Sequence, residues 1–167
     1  MKYLTTLLTL ILFLTLNINQ GFSQITYNEW ETTNVTDEFG DPTGDTVDRL
    51  FVEGTFSNSA TRDSDLTVKF VDYGDGLVIE LYEYDRSPAN LCLSDGCFGY
   101  FPIRDASGET HKIEAFAGSS TGLYVSDDRD KLLEILNNSE EVRFVIYEDK
   151  FESDYGRAVY RFTVAPK

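Results

Sequence analysis

The sequence predicts a mainly β protein, an antiparallel β-sandwich carrying one short amphipathic helix. Three observations lead there. Apolar and polar residues alternate through most of the chain, the mark of strands with one buried face. The alternating runs are short and end in Gly, Asp, Asn or Ser, as antiparallel strands joined by turns require. One stretch alone, at 126–138, changes to helical spacing.

From the amino end, Lys2 is followed by an apolar run, Leu4 to Leu16, and then by a polar stretch with small residues Gly21 and Ser23 two apart. This is the layout of a secretory signal, with cleavage expected between Ser23 and Gln24. The run is shorter than the roughly 18 to 20 residues that a permanent spanning helix needs. Residues 24–167 then form the expected single domain, with no repeat and no linker. Nothing later is long and apolar enough to span a membrane, so the expected location is the periplasm or the medium.

Leu50, Val52 and Phe56 share one parity, and so do Leu66, Val68 and Phe70. After the turn Tyr73-Gly-Asp-Gly76, Leu77, Ile79 and Leu81 resume the pattern, which predicts a hairpin. Further strands are expected at Gly99 to Arg104, His111 to Ala117 and Leu123 to Val125. The turns between them are Asp105 to Gly108 and Gly118 to Gly122. Val142, Phe144 and Ile146 alternate, as do Tyr160, Phe162 and Val164. In the helical stretch Leu132, Leu133, Ile135 and Leu136 make the apolar stripe. Ser126 or Asp127 is placed to cap it, with Asn137-Asn138 at its exit. Such a helix is expected to cover an open end of the β layer.

The chain has 14 Lys and Arg against 29 Asp and Glu, a net charge of −15, and the leader contributes only Lys2 to the charged set. A field of that sign repels nucleic acid and anionic head groups. It suits a cationic partner or a divalent metal. Cys92 and Cys97 are the two cysteines, separated by Leu-Ser-Asp-Gly. In an exported chain they are expected to pair across this turn, a staple worth about 2 kcal/mol on the loop-entropy argument. The C-x4-C spacing is not that of a redox motif.

Catalytic constellations are hard to build from these residues. His111 is the one histidine, expected as an exposed strand residue, and no Gly-x-Ser-x-Gly elbow accompanies it. Metal sites made of several His or Cys ligands lack the ligands. Acidic pairs are too numerous for any one to signal glycoside hydrolysis. Two binding candidates stand out instead. Asp37, Asp41 and Asp45, with Asp48, lie in an acidic loop beside Gly40 and Gly44, where hard oxygen ligands on a bending backbone suit Ca2+. The loop does not match EF-hand spacing, and a solvated loop is the simpler reading. Tyr82, Tyr84 and Tyr100 offer flat apolar faces with polar tips for a glycan or protein ligand, although such residues more often fill cross-strand pairs.

Trp30, Asp37-Glu-Phe-Gly-Asp-Pro-Thr-Gly44, Gly54-Thr-Phe-Ser-Asn-Ser-Ala60, Leu66-Thr-Val68 and Glu80-Leu-Tyr-Glu83 follow one another in a pattern that resembles a group of small exported proteins of Bacteroidota. The order of elements is also similar to that of periplasmic accessory proteins of the type VI secretion-associated class, whose cysteine pattern this chain lacks. Neither resemblance implies a site residue. The expectation is an exported, non-enzymatic protein that binds an envelope component through β-sheet edges or an aromatic patch. A small carbohydrate- or calcium-binding module is the alternative, and a small secreted hydrolase a more distant one. No cofactor other than Ca2+ is expected, and oligomeric state is left open.

Overall fold

The computed structural model describes residues 26–84, 87–89, 91–92, 96–118, 122–151 and 158–165. The expected leader and its cleavage point lie outside them. The strands are β1 (Glu31–Thr36), β2 (Pro42–Ser57), β3 (Ser64–Asp72), β4 (Leu77–Glu83), β5 (Ser87–Pro88), β6 (Cys97–Arg104), β7 (Thr110–Ala117), β8 (Gly122–Val125), β9 (Val142–Tyr147) and β10 (Val159–Val164). The helix, α1, is Arg129–Asn138, and a 3-10 turn occupies Glu148–Phe151.

The fold is mainly β with one short helix, as the alternation predicts, but the strands do not form two stacked layers. They join in one sheet, ordered β1-β2-β10-β9-β6-β7-β8-β4-β3, and an additional β2–β3 pairing closes it into an antiparallel barrel of eight strands. The reason lies in β2. It is 16 residues long and has both edges in use: β3 pairs along Asp48 to Phe56, while β1 and then β10 share the opposite edge. A strand of that length with continuous pairing twists far enough to bring the sheet's two ends together. Periodicity reads the same for the inner face of a sandwich and of a barrel, so alternation alone could not separate them.

Two long connections cross the barrel's ends. Because these strands pair antiparallel, β4 finishes and β6 starts at one end, where Cys92 and Cys97 form the expected disulfide with Cα atoms 5.8 Å apart. Ser94 and Asp95, from the predicted turn between them, lie outside the described residues. The connection from β8 to β9 crosses the opposite end and contains α1, whose Leu132 and Leu136 are buried in the core. The helix therefore does cover an open end of the β structure.

Its start differs from expectation. Ser126 and Asp127 stand before the helix, Asp128 is the N-cap residue, and no side-chain hydrogen bond caps the helix. The Asp128 carboxylate is engaged elsewhere, accepting the backbone N–H of Glu114 at 2.8 Å. That donor is free because β8 reaches β7 only at Phe116 and Ala117. The interior is filled by side chains. Phe70, Phe101, Phe144 and Phe162 meet in edge-on and stacked pairs, the closest being Phe144 and Phe162 at 4.7 Å between centroids. Burial of each such ring contributes about 1.5 to 3 kcal/mol.

The stretch 37–48, expected as an acidic loop, is largely a ribbon. Its turn is confined to 37–41, and Pro42 to Val47 pair with β1 alone, beyond the point where β3 ends. The ribbon extends past the barrel, with Phe39 at its tip 82% exposed. With neither face of this part buried, the residues carry no hydrophobic parity to mark them as strand.

Candidate functional site

The outer surface of β6, β7, β8 and β4 carries an aromatic row set by register. Phe98 stands opposite Phe116, Phe116 opposite Tyr124, and Tyr124 opposite Val78. Each belongs to the outward parity of its strand, between buried neighbours such as Cys97, Ala117, Leu123 and Ile79. Phe98 is 75% exposed and Tyr124 is exposed, whereas Phe116 is half-buried between them. The Phe98 and Phe116 rings lie 5.0 Å apart. At the far end, Gly76 makes room for Tyr124: a methyl group there would fall inside the tyrosine ring. Tyr100, two residues from Phe98 on the same face, continues the row on β6, and Lys112 Nζ lies 4.0 Å from its ring centroid. Exposed Glu114 pairs with Tyr100 in the ladder.

Of the tyrosines nominated from sequence, only Tyr100 belongs to this surface. Tyr82 and Tyr84 lie at the end of β4, with β8 and β7 between them and β6. Tyr82 donates to Glu80 Oε2 at 2.7 Å, and burial together with this bond pushes its phenol pKa up. Tyr84 rests edge-on against Phe56 at 4.9 Å, with its backbone in the left-handed region. The three therefore do not form one platform. Phe98, Phe116 and Tyr124 are not legible as a site in the sequence because a row across three strands depends on register between separate segments. Parity holds a local signal, since Phe98 and Phe116 fall on the face opposite the buried Cys97 and Ala117.

A second cluster sits where the turn between β6 and β7 meets α1. Asp105 and His111 continue the inward parity of Ile103 and Ile113, so the imidazole is half-buried at the barrel mouth rather than exposed as a strand residue. Their side chains are 15% and 19% exposed. Asp105 Oδ1 accepts the Ser107 hydroxyl at 2.6 Å and the Glu109 N–H at 3.0 Å; Oδ2 lies 2.9 Å from His111 Nε2. These bonds, that from His111 foremost, lower the Asp105 carboxyl from 3.8 to about 2. An open groove between this turn and α1 is lined by Asp105, His111, Lys131, Glu134, Asn138 and Glu140 among others.

The carboxylates of Asp37, Asp41 and Asp45 are not gathered in the same way. Asp37 Oδ1 accepts the N–H groups of Phe39 and Asp41, both at 2.9 Å, and so closes the ribbon turn. Asp45 lies near the Thr43 hydroxyl. Among the described residues, the group of three side chains whose ligand atoms come within 4.8 Å of one another is Asp105, Glu109 and His111. Comparison with protein-family models, curated proteins and solved structures finds no match for this chain.

Proposed function

We propose that this is an exported, non-enzymatic binding protein of the bacterial cell envelope that holds a basic protein partner on the aromatic row of β6, β7 and β8. The observation that carries the reading is Phe98, a large apolar side chain left 75% exposed at one end of a register-aligned aromatic row. Ring faces and edges aligned across strands form the rigid apolar centre on which protein interfaces depend. The occupant is a protein with basic residues, because the row is bordered by Glu114 and the whole chain carries a net charge of −15. A glycan is a poorer fit, since Lys112 takes up one face of Tyr100. Docking through sheet edges is confined to strands outside the closed barrel, such as the β1–β2 ribbon. Support for export comes from the disulfide and from the leader-like amino end. No helix among the described residues is long and apolar enough to cross a membrane.

The test is a crosslinking pull-down from the native envelope with the wild type, Phe98→Ser and, as a control on another surface, Tyr147→Ser. A basic partner captured by the wild type and the control, but lost with Phe98→Ser and at raised salt, supports the reading. Equal capture by Phe98→Ser, or binding to purified envelope glycans in its place, overturns it.

A further inference from the structure

We infer that His111 Nδ1 and Glu109 form an open site for a divalent transition metal, with Asp105 as the positioning residue behind the imidazole. Asp105 sets the tautomer of the ring. Ionised, it can only accept hydrogen bonds, so the 2.9 Å contact fixes the proton of the neutral ring on Nε2. The lone pair of that tautomer is on Nδ1. Glu109 Oε1 lies 4.0 Å from Nδ1. Zinc binds imidazole nitrogen and carboxylate oxygen at about 2.0 to 2.2 Å each, so an ion between the two atoms spans roughly that gap. The Glu109 side chain is 71% exposed and free to swing inward toward a bent angle.

A carboxylate behind a ligating histidine is the usual outer partner of such sites, holding the ring's orientation and raising its basicity. Here Oδ1 of that carboxylate accepts the Ser107 hydroxyl and the Glu109 N–H while Oδ2 faces His111 Nε2, so both oxygens are occupied and the group is suited to orient rather than ligate. The cations nearby do not compete for the site. Lys131 Nζ donates to the Lys112 carbonyl at 2.7 Å and lies 3.4 Å from Asp128, and Lys112 Nζ rests over Tyr100. Water would complete the coordination. One nitrogen with carboxylate oxygen selects a borderline metal such as Zn2+ or Co2+ over Ca2+.

The test uses untagged protein and the metals alone. Calorimetric titration with Zn2+ at neutral pH should show one ion per chain. Since His111 is the single histidine, its ring signals in the NMR spectrum should shift or broaden with stoichiometric Co2+. His111→Ala should abolish the site. Glu109→Gln, an exposed change that leaves the turn's hydrogen bonds intact, should weaken binding about tenfold or more, and Asp105→Asn by about 10- to 100-fold. Undiminished Zn2+ binding by His111→Ala would assign the ion to the diffuse acidic surface and overturn the inference. Silence of the imidazole signals toward Co2+, or displacement of Zn2+ by equimolar Ca2+, would do the same.

Discussion

Gly54 lies on the inward parity of β2 with Leu50, Val52 and Phe56, yet it carries no side chain. A Cβ there would sit 2.5 Å from the Arg161 carbonyl oxygen and 2.6 Å from Phe162 Cβ. Its absence lets β10 approach and lets Phe162 stack on Phe144. Gly54→Ala should therefore destabilise the fold by about 1 to 3 kcal/mol, because the nearest obstacle is backbone and cannot rotate away; urea denaturation would measure it. Asp105 gives a pH signature at the same scale. Its carboxyl is lowered in the folded state, so its contribution is complete above the unfolded value of 3.8 and is lost as the pH falls toward about 2. The melting temperature of the wild type should drop across that window. Asp105→Asn should start lower at neutral pH and fall less through it. The sequence places Asp105 correctly in a turn. What it hides is the partner, since the bond to His111 depends on where the following strand returns.

Among the elements, α1 shows how a short amphipathic helix is fastened to a barrel. Arg129 donates through Nε and a terminal nitrogen to both oxygens of Asp72, at 2.8 and 2.7 Å. Asp72 also accepts the Gly74 N–H at 2.9 Å. One carboxylate thus joins the turn between β3 and β4 to the start of the helix. Asp128 and Lys131 tie the same turn of helix to the β7 backbone. Arg129→Met should cost about 1.5 to 3 kcal/mol, the range for charge-assisted bonds, and should act locally. Hydrogen exchange of the amides in 132–138 should accelerate more than that of the β6–β7 ladder. The helix itself was legible because its apolar stripe departs from period two. Its first residue was not, since Ser126 and Asp127 are equally good caps by composition. Asp128 takes the N-cap position while its carboxylate serves β7.

At the scale of the molecule, the alternating parities identify the core residues almost unaided. Leu50, Val68, Ile79, Phe101, Ile113, Phe144 and Phe162 all face inward. Closure into a barrel is invisible at that level because it depends on β2 pairing along both edges. The β1–β2 ribbon is invisible for the opposite reason, having no buried face to impose a pattern. The outer aromatic row needed both facts: which residues face out, and which strands are neighbours. Once β6, β7, β8 and β4 are side by side, Phe98, Phe116 and Tyr124 fall into line.

The most direct test of that row as a binding surface is site-specific photocrosslinking in the native envelope. A photoactivatable phenylalanine analogue would be placed at position 98 and, separately, at position 147, which is also exposed but lies on β9. One discrete crosslinked protein is expected from position 98 and none from position 147. The same product from both positions, or from 147 alone, would contradict it.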